Sequence, residues 1–253
     1  MNLFDLSGRI ALITGSSKGI GYTIAEALGS AGATIVLNAR DAVRLAAAKD
    51  RLAAQGIDVR VSAFDVTNPD RVFAAVEAIE IEVGPIDVLV NNAGMQFRSS
   101  FQDFPWEAWR QLSATNIDSV FFVGQAVARK MIPRNRGKII NVCSVQSELG
   151  RPGIAPYAAT KGAVKMLTKG MAIDLGKFGI QVNGLGPGYF KTELTEALVN
   201  DNAFTAWLAG RTPAGRWGSV EELKGAAIFL ASEASSFVNG HILYVDGGIT
   251  ASL

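Results

Sequence analysis

Short runs of apolar and β-branched residues alternate along this chain with longer stretches whose apolar positions recur at helical spacing. Most of the short runs are continuously apolar, which is typical of parallel strands covered on both faces. The alternation therefore predicts an α/β fold with a parallel sheet. The predicted strands are Arg9–Thr14, Thr34–Ala39, Asp58–Ala63, Ile86–Asn91, Lys138–Val142, Ile180–Leu185 and His241–Val245. The predicted helices are Gly19–Gly32, Val43–Gln55, Pro69–Val83, Trp106–Ile132, Pro156–Phe178 and Val220–Ser232.

Strands in this number fit either a closed barrel or an open, doubly wound sheet with helices on both faces. A glycine-rich segment directly after the first strand favours the open sheet of the Rossmann type. No linker, charge block or convincing internal repeat divides the sequence. We therefore expect residues 1–253 to form a single domain.

Composition narrows the possible partners of the chain. Its 253 residues are 49% hydrophobic and include 24 Lys and Arg against 23 Asp and Glu, so no basic excess points to a nucleic acid. The apolar run Val120–Val123 is far shorter than the roughly 18 residues of a membrane span. A single cysteine excludes an internal disulfide, and a single histidine excludes paired-histidine metal motifs. We expect a cytoplasmic protein without a metal site, a membrane partner or a nucleic-acid partner.

The loop after the first strand has the chemistry of a phosphate site. It reads Thr14-Gly15-Ser16-Ser17-Lys18-Gly19-Ile20-Gly21, and a helical pattern follows. Glycines allow a tight turn and a close approach of backbone to a pyrophosphate, while the helix N-terminus offers N–H groups and a positive dipole end. We expect dinucleotide contacts from Gly15, Ser17, Lys18, Ile20 and Gly21.

The end of the second strand indicates which nicotinamide cofactor is preferred. An acidic residue about 20 residues after the glycine loop would bind a ribose 2′-hydroxyl. Ala39 and Arg40 stand there instead, and Arg40 can pair with a 2′-phosphate, with Lys18 as a second charge. Asp41 is better placed to cap the next helix. These residues predict NADP(H) in preference to NAD(H).

Candidate acid–base chemistry lies in Tyr157-Ala158-Ala159-Thr160-Lys161. Residues four apart share one helix face, and a nearby ammonium stabilises a phenolate, which suits Tyr157 to the role of general base. Ser144 follows the fifth strand, and Asn91-Asn92-Ala93-Gly94 ends the fourth, both at the carboxyl edge where open α/β sheets bind ligands.

Together these features resemble the short-chain dehydrogenase/reductase family. The resemblance is carried, in chain order, by Thr14–Gly21, Asn91-Asn92-Ala93-Gly94, Asn116, Ser144, Tyr157 with Lys161, and Pro187-Gly188 with Thr192. It implies a Rossmann domain with a seven-stranded parallel sheet, and hydride transfer between a nicotinamide and a carbinol or carbonyl carbon.

The resemblance also implies a role for each site residue. Tyr157 would be the acid/base, Lys161 would bind the nicotinamide ribose and support Tyr157, and Ser144 would bind the substrate oxygen. Asn116 would hold a water in a proton relay. The remaining cofactor contacts would be made by Asn91, Gly94, Asp65 at the adenine and Thr192 at the carboxamide.

Three longer stretches, residues 145–157, 211–218 and 236–241, resemble members of the family that oxidise sugar acids. A sugar-acid substrate is therefore expected. A carrier-protein 3-oxoacyl reductase and a polyol dehydrogenase remain as alternatives, and a dinucleotide-sensing binding protein remains as a non-enzymatic one.

A sugar acid requires a cation, and arginine binds carboxylates bidentately. Arg98 follows the fourth strand and Arg151 lies between Ser144 and Tyr157, so both loops leave the carboxyl edge. Arg98 is the first choice, because Glu148 is close to Arg151 in sequence and could pair with it.

Two further expectations concern movement and assembly. On family analogy, residues 191–211 are expected to form a substrate lid. The window Trp106–Ile132 is apolar on all sides near Val120–Val123, so one side should pack on the sheet and the other on a second subunit, beside Pro156–Phe178. The family resemblance suggests a homotetramer.

Overall fold

The predicted strands pair into one parallel sheet in the computed structural model, which describes residues 3–252. Seven strands are present in that range: β1 Ile10–Ile13, β2 Thr34–Ala39, β3 Val59–Ala63, β4 Ile86–Asn91, β5 Gly137–Val142, β6 Ile180–Pro187 and β7 Ile242–Val245. The helices are α1 Gly19–Ser30, α2 Ala42–Ala53, α3 Pro69–Glu82, α4 Trp106–Ser113, α5 Ser119–Met131, α6 Ala155–Gly176, α7 Glu196–Val199, α8 Asn202–Arg211 and α9 Lys224–Ala231.

The strand order is β3-β2-β1-β4-β5-β6-β7, and every neighbouring pair is parallel. The chain winds outward from β1 to β3, then crosses to β4 and winds outward on the other side. This is the doubly wound Rossmann architecture predicted from the sequence. Its switch point lies between β1 and β4, where the loops after the two strands diverge and leave a crevice.

Most of the strands are continuously apolar because helices cover both faces of the sheet. Neighbouring residues of β1 belong to different apolar clusters: Ile13 belongs to the cluster that includes Leu28 of α1, and Leu12 to the cluster that includes Val127 of α5. Both strand residues are fully buried. A strand covered on both sides has no polar face, so the continuous apolar runs follow from the layering.

Side-chain caps fix where two helices begin. Asp41 caps α2, as predicted, by accepting hydrogen bonds from the backbone N–H groups of Val43 and Arg44. Asn68 caps α3 in the same way, and Pro69 takes the first helical position, where no N–H donor is needed.

Two predicted helices are divided in the structure. The predicted helix Val220–Ser232 is a 3-10 turn over Val220–Leu223 followed by α9. The window Trp106–Ile132 contains α4, a π-helical turn over Ala114–Asp118, and then α5. The wider turn carries Asn116, which is 1% exposed. Its amide is bonded to neighbouring segments, which gives a local reason for the departure from α-helical geometry.

Residues 3–252 contain neither a membrane-spanning helix nor a cluster of metal ligands. None of the helices there has both the length and the apolar character needed to cross a membrane. No group of three or more His, Cys, Asp or Glu side chains in that part of the chain could hold a metal ion.

Candidate active site

A cleft of about 870 Å³ opens at the carboxyl edge of the sheet, over the switch point between β1 and β4. Its walls come from the loops after β1, β2, β3, β4, β5 and β6, so residues far apart in sequence meet there. The predicted site residues that line it are Gly15, Ser17, Lys18, Ile20, Gly21, Arg40, Asp65, Gly94, Arg98, Ser144, Arg151, Tyr157, Lys161 and Thr192.

Close packing explains two glycines of the first loop. A Cβ on Gly15, whose φ is +62°, would lie 2.8 Å from Ala93 Cα, and one on Gly21 would lie 2.3 Å from Asn92 Nδ2. Asn92 Nδ2 donates hydrogen bonds to Thr14 O at 2.9 Å and Gly15 O at 3.0 Å. The loop is therefore locked to the end of β4, and its open side offers bare backbone to a ligand.

Helix α1 presents its N-terminus at the bottom of this loop. Its N-cap residue, Lys18, makes no side-chain capping hydrogen bond. The first N–H groups of the helix are therefore not occupied by a side-chain cap. Free N–H groups and the positive end of the helix dipole form an anion site. The arrangement fits the pyrophosphate of a dinucleotide.

The three cations at this end of the cleft, which we call the glycine-loop end, all have carboxylate neighbours. Lys18 forms an ion pair with Glu193, and Arg44 Nε lies 3.2 Å from Asp41. Arg40 is 78% exposed, and its Nη1 lies 3.9 Å from Asp65. Arg40 is thus the most loosely paired of the three.

Ser144 stands at the turn that follows β5. It caps a short 3-10 helix, Val145–Ser147, and its Oγ accepts a hydrogen bond from Gln146 N at 3.1 Å. The side chain is buried but lines the cleft. One backbone donor therefore fixes the position of the hydroxyl, while the cleft remains open to it.

Tyr157 and Lys161 lie one turn apart near the start of α6. Lys161 is buried, and its Nζ donates to Val142 O at 2.7 Å. The same Nζ lies 5.9 Å from the centre of the Tyr157 ring. This contact with β5 holds the Lys161 ammonium beside the Tyr157 ring.

Asn91, expected to contact the cofactor, and Asn116, expected to hold a water of the proton relay, are not among the residues that line the cleft. Asn91 is buried, and its Nδ2 donates to Asn141 Oδ1 at 2.9 Å. Asn116 Oδ1 accepts from Met95 N at 2.8 Å, and Nδ2 donates to Met95 O and Thr160 Oγ1, both at 3.0 Å. Both amide hydrogens of Asn116 are used within the protein, so its side chain ties the loop after β4 to α6.

Arg98 and Arg151 converge at the end of the cleft that holds Ser144 and Tyr157, which we call the tyrosine end. Burial, and then the charge of Arg151, lower the pKa of Arg98. Arg98 Nη2 donates to Gln96 Oε1 at 3.1 Å, while Arg151 lies 4.9 Å from the centre of the Phe204 ring. Neither forms an ion pair with a carboxylate among the described residues.

The expected partner of Arg151 is engaged elsewhere. Glu148 forms an ion pair with Lys165 and accepts a hydrogen bond from Tyr244 Oη at 2.9 Å. The hydrogen bond from Lys165 lowers the pKa of Glu148. The suggested Arg151–Glu148 pair is therefore wrong, and the reason for preferring Arg98 over Arg151 disappears.

Segment 191–211 and the loop before it form an outer wall of the cleft. Thr192 caps a 3-10 turn, Glu193–Thr195, which leads into α7 and α8. Ahead of it, Tyr189 packs its ring against Phe204 at 5.7 Å and against Trp217 at 5.9 Å. Burial raises the pKa of Tyr189, so this phenol stays protonated at neutral pH.

Three site residues escaped the sequence analysis as individual candidates: Asn92, Gln146 and Tyr189. Asn92 could have been found, because it stands inside the tetrapeptide that ends the fourth strand. Gln146 and Tyr189 meet through a hydrogen bond between residues 43 positions apart. No local pattern marks that contact.

The arrangement can bind an anionic substrate beside a proton donor. Arg98, Arg151 and Lys161 bring positive charge to the tyrosine end without a paired carboxylate among the described residues. Ser144 and Tyr157 offer hydroxyl groups in the same place. The glycine-rich loop and the N-terminus of α1 line the other end of the same cleft.

Known proteins are similar to this chain in sequence and fold. Residues 15–250 match the family described as enoyl-(acyl carrier protein) reductase. The chain is 62% identical over 252 residues to the gluconate 5-dehydrogenase of Gluconobacter oxydans (strain 621H), with 100% of this chain and 98% of that protein covered. It is 56% identical over 252 residues to the 5-keto-D-gluconate 5-reductase of Escherichia coli (strain K12), with 100% and 99% covered.

The fold is also similar to a crystal structure of a gluconate 5-dehydrogenase from Burkholderia cenocepacia J2315 in complex with NADP and tartrate. The TM-score is 0.97 at 58% sequence identity, with 99% of this chain and 98% of that chain covered.

Proposed function

The chain belongs to the short-chain dehydrogenase/reductase family, and from that premise we propose that it interconverts D-gluconate and 5-dehydro-D-gluconate with NADP(H). The reaction removes two electrons and two protons from the C5 carbinol in one direction and restores them in the other. When bound, the nicotinamide accepts or supplies the hydride. The protein must then hold the substrate, exclude water and move the remaining proton.

The observation that carries this proposal is the charge at the tyrosine end. Arg98 and Arg151 face the cleft without a carboxylate partner among the described residues, and each repels the other. An anionic ligand relieves this repulsion, and a guanidinium binds a carboxylate through two parallel hydrogen bonds. Gluconate has the required carboxylate. Tartrate, which is bound in the Burkholderia cenocepacia complex, is likewise an acid with hydroxyl groups.

Proton transfer is assigned to Tyr157. In the oxidative direction, its phenolate takes the proton of the C5 hydroxyl, and Ser144 donates a hydrogen bond to the same oxygen. Lys161 stabilises the phenolate through its positive charge and binds the nicotinamide ribose. Asn116 acts through position: it ties Met95 to Thr160 and so sets α6 against the loop after β4. General acid–base assistance of this kind contributes about 10²–10⁴-fold to a rate.

The residues of the glycine-loop end fit NADP(H). Gly15 and Gly21 leave room where a Cβ would clash, and the N-terminus of α1 faces the phosphates. Ser17, Lys18, Ile20, Gly94 and Thr192 complete the cradle along the cleft, with Asp65 at the adenine. Arg40 binds the 2′-phosphate, since it is exposed and only loosely paired. Asn91 acts on this site indirectly, by linking the end of β4 to Asn141 of β5.

The chain is proposed to form a single domain. Within it, segment 191–211 is proposed to be a lid over the substrate. It borders the cleft through Thr192, Glu193, Thr195, Glu196 and Leu198. At its far end, Arg211 donates hydrogen bonds to Ile249 O at 3.2 Å and Ser252 O at 3.1 Å. A segment that is anchored at Arg211 and consists of the short helices α7 and α8 is suited to close over a bound substrate.

A homotetramer belongs to the same proposal, together with a cytoplasmic location consistent with the single free thiol, Cys143. Large apolar side chains are exposed on two neighbouring helices: Phe121 of α5 is 47% exposed, and Met166 and Ile173 of α6 are 61% and 79% exposed. Such side chains on adjacent helices suit a subunit interface.

Initial rates at 340 nm with NADP⁺ test the proposed activity. D-gluconate is compared with D-sorbitol, which has the same carbon chain but no carboxylate, and in the reductive direction 5-dehydro-D-gluconate is compared with a 3-oxoacyl thioester. We expect gluconate and its keto form to have the highest kcat/KM of each pair. Equal rates with sorbitol, or preferred reduction of the thioester, would contradict the proposal.

A further inference from the structure

Gln146 lies next to the group proposed to hold the reacting oxygen. Its backbone N–H donates to Ser144 Oγ at 3.1 Å, and its side chain is 8% exposed while lining the cleft. A buried amide at this position is costly unless its polar atoms are satisfied. The proton transfer described above does not use this side chain.

The hydrogen-bonding capacity of Gln146 is only partly used. Its Nε2 donates to Tyr189 Oη at 3.2 Å, whereas its Oε1 is buried and has no hydrogen-bond partner. Tyr189 Oη accepts that bond, and its own O–H finds no acceptor among the described residues. If the amide oxygen and nitrogen are exchanged, Tyr189 donates instead and Nε2 becomes the unpartnered atom. In either orientation the pair lacks one partner.

The position of Tyr189 is well determined by its surroundings. Its ring packs edge-on against Trp207 at 6.3 Å and Trp217 at 5.9 Å, with Phe204 at 5.7 Å. Because aromatic neighbours hold the ring, the phenol oxygen has little freedom to turn toward another acceptor. The unused donor and the unused acceptor therefore stay beside each other, close to Ser144.

We infer that Gln146 and Tyr189 form a specificity pair that binds a hydroxyl group on a carbon next to the reacting carbon. A hydroxyl both donates and accepts, so one such group satisfies the pair, whereas a methylene leaves a buried polar atom unpaired. The inference rests on the proposed function and refines it: the site selects polyhydroxylated acids over simple keto acids of the same length and charge.

The test compares two ketones that share a carboxylate at C1 and a carbonyl at C5. The first is 5-dehydro-D-gluconate, and the second is 5-oxohexanoate, which has the same six-carbon chain without hydroxyls. The variants are Gln146→Met, which keeps the length of the side chain, and Tyr189→Phe, which keeps the ring. Reduction of each ketone by NADPH is followed at 340 nm, and the specificity is the ratio of the two kcat/KM values.

We expect either variant to lower this ratio by about tenfold or more, since an unpaired buried polar group discriminates strongly in the wild type. The matched control is Arg98→Met, which should lower kcat/KM for both ketones and leave their ratio unchanged, because both carry the carboxylate. Melting curves with and without NADP⁺ show whether each variant is folded and binds the cofactor.

The outcomes separate the inference from the function on which it rests. Equal losses for both ketones in Gln146→Met and Tyr189→Phe mean that the two residues only support Ser144 structurally, and the inference is then wrong while the function stands. A wild-type protein that does not reduce 5-dehydro-D-gluconate contradicts the proposed function, and the inference falls with it.

Discussion

The ammonium of Lys18, in the loop after β1, forms an ion pair with the carboxylate of Glu193 on the opposite wall of the cleft. The hydrogen bond from Lys18 lowers the pKa of Glu193, so this carboxylate remains ionised. Lys18 therefore already has a carboxylate partner in the structure. Arg40, with its nearest carboxylate oxygen at 3.9 Å, is the better-placed cation for a 2′-phosphate.

The loose pairing of Arg40 predicts a preference for NADP(H) over NAD(H). In the double variant Ala39→Asp with Arg40→Ile, the arginine is lost and a carboxylate repels the 2′-phosphate. A hydrogen bond to a charged group is worth about 1.5–3 kcal/mol, so the ratio of kcat/KM for NADP⁺ to that for NAD⁺ should fall by about 10- to 150-fold. Arg71→Ile, which removes an exposed arginine of α3 outside the cleft, serves as the control. A wild type that already uses NAD⁺ as well as NADP⁺ would refute the role of Arg40.

Tyr157→Phe tests the proton transfer. The variant keeps the ring and removes the ionisable oxygen, so kcat should fall by about 10²–10⁴-fold while NADPH still binds. Fluorescence titration with NADPH measures the binding, and rates at 340 nm measure kcat. Tyr22→Phe, at a tyrosine of α1 that does not line the cleft, is the matched control. Near-normal turnover by Tyr157→Phe rules out the proposed base.

Arg98→Met and Arg151→Met test the anion site. Loss of a charged hydrogen bond should raise KM for D-gluconate by about tenfold or more and leave KM for NADP⁺ unchanged. Arg71→Met, at an exposed position of α3, provides the control for loss of one positive charge. If neither cleft variant changes KM for gluconate, the carboxylate binds elsewhere.

Lys138 gives a prediction for stability. This lysine of β5 is 7% exposed, its Nζ donates to Ser235 Oγ at 3.3 Å, and burial lowers its pKa to about 8. Below that pH the folded protein carries a buried ammonium, so Lys138→Met should raise the free energy of unfolding at pH 7 by about 1–3 kcal/mol. Ser235 keeps other partners, because its hydroxyl also reaches Leu230 O and Ser232 O.

The pH dependence of this effect has a definite sign. The folded pKa lies below the unfolded value of 10.5, so the wild type gains stability from this group as the pH rises from about 8 to 10.5. The advantage of Lys138→Met, measured by urea unfolding, should therefore shrink between pH 7 and pH 9.5. Lys177→Met, at an exposed lysine that follows α6, is the control. An advantage that is the same at both pH values would show that the ammonium is not its cause.

Assembly can be tested at the exposed apolar residues of α5 and α6. Phe121→Glu combined with Ile173→Glu places charges in the proposed subunit interface and should convert the tetramer to smaller species in sedimentation velocity at micromolar concentration. Val43→Glu, at a position of α2 that is 81% exposed, should leave the assembly intact. A wild type that sediments as a monomer contradicts the proposal outright.

Much of the fold could be predicted because its determinants are local. Continuous apolar runs identify strands, and the predicted Ile86–Asn91 and Thr34–Ala39 agree with β4 and β2 at both ends. The cap at Asp41 and the glycine loop after β1 are also encoded by neighbouring residues. Parallel pairing then brings the carboxyl ends of the strands to one edge, which is why most of the predicted site residues line one cleft.

Features that depend on distant partners could not be predicted. The π-helical turn over Ala114–Asp118 has no signature in its own residues, since Asn116 is held by Met95 and Thr160. Glu148 appeared to be a partner for Arg151 by sequence proximity, yet it binds Tyr244, 96 residues away. Long-range hydrogen bonds of this kind determine which partner a side chain takes, and the neighbouring sequence does not specify that partner.

We propose that the cleft oxidises D-gluconate at C5 with NADP⁺. The most direct measurement is to incubate the protein with D-gluconate and NADP⁺, remove the NADPH by recycling, and identify the product by ¹³C NMR. We expect the C5 carbinol signal to be lost and 5-dehydro-D-gluconate to accumulate only when NADP⁺ and the recycling system are both supplied. Oxidation at another carbon, or no NADP⁺-dependent turnover of gluconate, would contradict it.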